Sequence, residues 1–235
     1  MGIRQRIKLL MDDLPFGADI YWQLRGKRKP WSAHYELEDL KAVLPQALAD
    51  LSASRTRPGV SPAGEPSSTG TASTPPKKVC LFASLHYWIE ESALIGLALA
   101  GQGHNVNLAY LPYAEWDKDI TPFDLRRQDL YTRAVFADAR DFLRLSPLAD
   151  MQSSAESLPA EGLRAVEQVS DYDTQYTLQV EETDRGCALY KLRYARNLQA
   201  AGALFAWLQA EKPDVLIIPN GTILEMGVAY RVARL

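Results

Sequence analysis

The 235-residue chain is 47% hydrophobic with a formal net charge of −3. That composition suits one or two globular domains and gives no bulk attraction to nucleic acid. No apolar run approaches the ~20 residues of a membrane span, and Ile3, Ile7 and Leu10 are too interleaved with charges to form a signal-peptide core. The two cysteines, Cys80 and Cys187, with Cys80 inside an apolar run, fit a reduced cytosolic setting.

In chain order, residues 1–51 read as a small helical module. Ile3, Ile7, Leu10 and Met11 share a face, and Phe16, Ile20 and Leu24 form a second stripe ending at Gly26. A third helix is expected from about Tyr35, with Leu37, Leu40, Val43, Leu44 and Leu48 on its apolar side and a kink at Pro45. Residues 1–30 carry seven Lys or Arg against three Asp, a net of +4. With Trp22 and Trp31 nearby, this module suits packing on the main domain or, alternatively, contact with an anionic membrane or a partner. From Ser52 to Lys78, 21 of 27 residues are Ser, Pro, Gly, Thr or Ala and none is aromatic. Such a segment cannot offset its ordering entropy, so residues 52–77 are expected to be a disordered linker.

The organising stretch is Lys78 to Leu111. Val79 to Ala83 is a continuous apolar run, as in a parallel strand buried on both faces. Leu94, Leu97, Ala98 and Gly101 follow at helical spacing, Gly101-Gln102-Gly103 supplies a stop, and Val106 to Leu111 resumes a strand. A helical crossover makes the two strands parallel. Ligands bind such sheets at the carboxyl ends of the strands, here the segment Ser84 to Glu91, read as a loop. That segment has no glycine, and it places His86, Tyr87 and Trp88 where a dinucleotide fingerprint needs open backbone. Glu90 and Glu91 would repel a phosphate. An uncharged ligand fits better than NAD or ATP, and no cofactor is expected.

After a loop over Pro112 to Ile120, Thr121-Pro122-Phe123-Asp124 opens a helix expected to reach about Leu145. A polar stretch spans Ser146 to Ser157, and helices follow after Pro159 and over about Cys187 to Glu211. Pro213 to Ile218 is a second buried-strand signal, ending in the turn Asn220-Gly221-Thr222, whose backbone donors can face a ligand. Thr222-Ile223-Leu224-Glu225 reads as a capping box that starts a helix at once. Asp117-Lys118-Asp119 and Asp171-Tyr172-Asp173 read as solvated loop acids, so no metal site is expected. The whole is expected to be α/β: a Rossmann-like parallel sheet with flanking helices over residues 78–235. A doubly wound sheet ordinarily continues beyond such a helix, so the chain is expected to be C-terminally incomplete.

This succession, a strand, His86, a helix leading into Gln102-Gly103-His104-Asn105-Val106, and a second strand, resembles the N-terminal domain of GT-B glycosyltransferases. Leu14-Pro15-Phe16 with Tyr21-Trp22 and Leu24-Arg25, together with Asn220 to Glu225, resembles a group of bacterial proteins of surface-polysaccharide assembly. The resemblance implies an acceptor-side domain for a sugar or lipid-linked acceptor, with the nucleotide-sugar donor held by a C-terminal domain not in this sequence. It implies His86 as the base that deprotonates the acceptor hydroxyl. Around it, Ser84, Tyr87, Trp88, Glu90, Asn220, Gly221, Thr222 and Glu225 are the candidate ligand contacts. A cytoplasmic protein, with peripheral attachment at the inner face of the membrane through residues 1–30 as a variant, fits this picture. The rival readings are a nucleotide-sugar epimerase on the same scaffold and a non-catalytic Rossmann-like binding or scaffold protein.

Overall fold

The computed structural model describes residues 16–26, 35–56, 75–151 and 158–235. Its elements run α1 (Gly17–Tyr21) with a π turn at Trp22–Gly26, α2 (Glu38–Thr56), β1 (Lys78–Ser84), α3 (His86–Gly101) and β2 (Asn105–Leu111). Then come α4 (Pro122–Val135), β3 (Leu143–Pro147), α5 (Ala160–Leu178), α6 (Ala188–Glu211), β4 (Val215–Ile217) and α7 (Leu224–Val232).

The four strands form one parallel sheet in the order β3-β2-β1-β4, with Val79 opposite both Val106 and Val215. This is the Rossmann-like arrangement. The apolar run of β1 follows from its place in the middle. Cys80 and Phe82 pack under α5, α6 and α7 with Val166, Val169, Ala200, Leu204 and Val228. Val79, Leu81 and Ala83 face the opposite layer, with Leu37, Leu40, Ile89, Ala93 and Leu97. Both faces are covered, so neither parity of the strand can be polar. Full burial of a side chain such as Leu81 or Phe82 contributes about 1.5–3 kcal/mol. Gly103, at φ 89, makes the left-handed exit from α3 that its sequence position called for.

Several expectations are corrected. The helix after Thr121 stops at Val135, and Leu143–Pro147 is an edge strand paired with β2 rather than the end of that helix. The Thr121 cap itself holds, its Oγ1 accepting from the Asp124 amide at 3.2 Å. The helix expected from Tyr35 begins at Glu38 and runs to Thr56, so residues 52–56 of the expected linker are helical. Residues 57–74, most of that linker, and the first predicted stripe at Ile3 to Met11 lie outside the described residues. Phe16, Ile20 and Leu24 do not pack as a stripe: they are exposed, at 75%, 55% and 77%. Gly17 and Ala18 are buried instead, Asp19 is gripped by Arg126 (Nε 3.2 Å, Nη2 2.9 Å), and Tyr21 meets Phe123 edge-on. Val43 likewise faces out.

α2 shares the core of the sheet. Leu37, Leu40 and Leu44 are buried in it, and Tyr35 Oη meets Thr132 Oγ1 at 2.6 Å.

α7 sits unusually close to the turn before it. A Cβ on Gly227 would lie 2.5 Å from both the carbonyl carbon and oxygen of Thr222. Alanine gains about 1 kcal/mol in helix propensity there, but overpacking against backbone costs about 1–3 kcal/mol and cannot relax by a rotamer change. Gly227→Ala is therefore expected to destabilise the protein by up to about 2 kcal/mol, read as a lower urea midpoint at unchanged m-value. A higher midpoint would refute the close approach.

Candidate functional site

The strand order reverses at β1: β2 lies on one side and β4 on the other. An open sheet offers a crevice at such a point, outside the carboxyl ends of the strands. Four segments converge there. β1 ends in Ser84, and Leu85, at φ 71, turns the chain directly into α3. The loop after β2 brings in Tyr113 and Trp116. β4 leads through the Asn220 turn to Leu224, at φ 59, where α7 starts. α5 and α6 pack above.

A buried ionic network ties these segments together. Arg193 on α6 is fully buried, and all its donor groups are used. Its Nε donates to Asp173 Oδ2 at 3.0 Å, Nη2 to Glu225 Oε1 at 2.9 Å and to Asn197 Oδ1 at 3.1 Å, and Nη1 to the Trp116 carbonyl at 2.9 Å. Arg196, one turn on, donates from Nε to Glu225 Oε1 at 3.0 Å and from Nη1 to the Glu115 carbonyl at 2.7 Å. Its guanidinium lies 3.6 Å from the centre of the Tyr113 ring, a cation–π contact. Ser84 Oγ completes the shell of Glu225 by donating to Oε2 at 2.9 Å. Burial pushes the Glu225 carboxyl up, but the charges of Arg193 and Arg196, its own amide and Ser84 outweigh it and hold it at about 2. Asp173 Oδ1 accepts the Leu224 amide at 2.7 Å, so an acid on α5 caps the N-terminus of α7. Two cations face two anions, and Arg196 Nη2 is the one guanidinium nitrogen of the network left buried without a partner among the described residues.

Beside it lies an open cleft of about 380 Å³. Tyr87, Trp116 and Tyr176 form aromatic walls, with Thr177, Ile223 and Leu224 between them and Asp173 in the lining. No cation lines it. Aromatic faces beside a hydrogen-bond acceptor suit a hydroxylated ring, and nothing in the lining would hold a phosphate.

Searches against protein-family models, curated proteins and solved structures found no match. The site stands on its own geometry.

The sequence-derived residues divide into three groups. Tyr87 lines the cleft. Ser84 and Glu225, expected as ligand contacts, are fully buried in the ionic network and are not in the cleft lining. Glu225 forms no capping box either: Ile223 is the N-cap and makes no side-chain cap bond, while the Thr222 amide donates to Asn220 Oδ1 at 2.8 Å. Asn220, Gly221 and Thr222 form this turn next to the lining residue Ile223 and are not themselves in the lining. Glu90 points away from the cleft, its Oε1 accepting the Leu40 amide at 3.1 Å in the first turn of α2. It is a structural acid, and burial raises its pKa. Trp88 packs between the two core layers.

His86 is in the first turn of α3, not in a loop, and not in the cleft lining. Its ring meets Tyr87 at 5.2 Å and Tyr35 at 6.1 Å, both edge-on. Burial lowers its pKa, which favours the neutral imidazole, against the opposing pull of the Ala114 backbone. Asp171-Tyr172-Asp173 is not a loop: it lies in α5, with Asp171 bound to Arg185 and Asp173 inside the network. Asp173, Trp116, Tyr176, Arg193 and Arg196 are the site residues that sequence reasoning missed. Trp116, in a loop, has no signal; for those on helices periodicity marks the buried face but not the partner across it. Asp173 follows Val166, Val169 and Ser170 on one helical face, and Arg193, Arg196 and Asn197 precede Ala200 and Leu204 on another.

Among the described residues, no helix is long and apolar enough to cross a membrane.

Proposed function

We propose that the chain is the acceptor-binding half of a glycosyltransferase that uses a nucleotide-sugar donor, with the acceptor sugar seated in the cleft between α3, α5 and α7. The observation that carries this reading is the lining: among the described residues it has three aromatic walls and one carboxylate, while the neighbouring guanidiniums of Arg193 and Arg196 are ion-paired to Asp173 and Glu225 and are not part of it. Such a surface favours the apolar face of a pyranose and disfavours a diphosphate, which supports a donor site outside this cleft. Exposed Phe16, Ile20 and Leu24, next in sequence to the basic run Arg25 to Lys29, favour a lipid-linked acceptor at a membrane surface. His86, with its pKa lowered by burial and one residue from Tyr87 of the aromatic wall, is the candidate base for the acceptor hydroxyl.

Saturation-transfer NMR with methyl glycosides and with UDP tests the reading directly. Methyl glycosides are expected to bind and UDP not to. Tyr176→Ala should weaken glycoside binding by about 2- to 10-fold, the worth of one aromatic face. Binding of UDP that Tyr176→Ala abolishes, or no glycoside binding at all, would overturn it. A second reading, a non-catalytic saccharide-binding domain, draws on the pairing of every charged group in the network within the chain. His86→Ala separates the two: in the protein that also carries the donor site, the transferase reading expects turnover to fall about 10²- to 10⁴-fold with acceptor affinity kept.

A further inference from the structure

We propose that Asp173 is the specificity-determining residue of the cleft, its Oδ1 accepting a hydrogen bond from one ring hydroxyl of the bound sugar. This rests on the reading of the cleft as a sugar site and names what that site discriminates.

A carboxylate oxygen has room for two hydrogen bonds. Asp173 Oδ2 is filled, accepting from Arg193 Nε at 3.0 Å and Asn197 Nδ2 at 3.1 Å. Among the described residues Oδ1 accepts the Leu224 amide alone, at 2.7 Å. The residue is 3% exposed, yet it is part of the cleft lining, and the second acceptor position of Oδ1 has no donor among the described residues. The surroundings select the donor. Tyr87, Trp116 and Tyr176 present ring faces and edges, and Thr177 is the other short polar side chain in the lining. Arg193 neutralises Asp173, so the site offers a strong acceptor without a net negative charge and suits a neutral hydroxyl. A uronic acid would bring a carboxylate against an oxygen that can only accept. Arg193 is the positioning residue. It holds Asp173 by Nε and the Trp116 wall by Nη1, fixing the distance between the acceptor and the stacking face.

The test uses the chain itself and methyl glycosides of glucose, galactose and mannose, each deoxygenated in turn at every ring hydroxyl. For the best-bound glycoside, removing one particular hydroxyl is expected to weaken binding by about 10- to 100-fold, with the other positions nearly silent. In Asp173→Asn that discrimination should shrink severalfold. If Asp173→Asn fails to fold, Thr177→Val and Tyr87→Phe decide: survival of the discrimination in both supports Asp173, and its loss in either overturns the proposal. Deoxy analogues that all bind within about twofold of the parent would overturn the role of Asp173, and if Tyr176→Ala still weakens binding the cleft reading survives. A wild-type protein that binds no glycoside would overturn both.

Discussion

Replacing Arg193 by methionine is expected to cost about 3–5 kcal/mol of folding stability. The side chain is fully buried and satisfies two carboxylates, one amide oxygen and one backbone carbonyl. Methionine fills much the same volume, so packing loss is minor and the penalty is electrostatic. Glu225 keeps a partner in Arg196. Asp173 does not, because Arg193 is its salt-bridge partner among the described residues, leaving a buried carboxylate with only the Leu224 amide and Asn197 as donors. Lysine should recover little of the loss, since one ammonium cannot span the four acceptors that the guanidinium fork reaches.

Urea unfolding followed by tryptophan fluorescence measures the effect, and a double-mutant cycle assigns it. If the cost is the orphaned charge, Arg193→Met combined with Asp173→Leu should be more stable than Arg193→Met alone. A single-variant loss under about 1 kcal/mol would mean that the pair lies in wetter surroundings than its burial indicates. The same substitution unlatches Trp116, whose carbonyl the guanidinium holds, so glycoside binding should weaken even where the variant remains folded.

The parts of the fold legible in the sequence are those where one physical term dominates. β1 and β2 are buried on both faces, which forces an unbroken apolar run, and parallel pairing follows from the helix between them. β3 was illegible for the converse reason. As an edge strand it buries Leu143 but leaves Arg144 exposed, and five residues of mixed polarity continue the helical pattern of α4 without a break. The cleft was half legible. Tyr87 could be placed because a strand end at a reversal of strand order is a site by topology alone. Asp173 and Arg193 could not, because each looks like an ordinary polar residue on its own helix. Only the packing of α5 on α6 brings the two into contact. Glu90 shows the same limit from the other side: its neighbours in sequence mark a ligand-facing turn, while its actual partner, the Leu40 amide, is fifty residues away.

Below pH 4.5 the protein is expected to lose stability steeply, with Glu225 as the largest single cause. Its folded pKa is about 2 against an ordinary value of 4.5. A carboxylate held low stabilises the fold fully above its unfolded pKa, and that stability drains away as pH falls through the interval to the folded pKa. The interval corresponds to about 3 kcal/mol, and full burial leaves no solvent screening to discount it. Asp19, held low by its hydrogen bond to Arg126, adds to the same acid limb. Glu211 adds to it too, because Lys78 and Arg144 outweigh its burial. Both are partly exposed and contribute less. Glu90 opposes them. Burial raises its pKa, so protonation just above the ordinary carboxylate range favours the folded state. Stability should therefore hold nearly level down to about pH 5 and then fall. Glu225→Gln isolates the dominant group. The variant should be less stable than wild type at pH 7, since Arg193 and Arg196 lose a counter-charge, and the gap should narrow as pH drops toward 3 and wild-type Glu225 takes up its proton. Urea midpoints at pH 3, 4, 5 and 7 for both proteins give the answer. Parallel curves with a constant gap would mean that Glu225 does not titrate in that window, and the ionic network would then owe its stability to hydrogen bonding rather than charge.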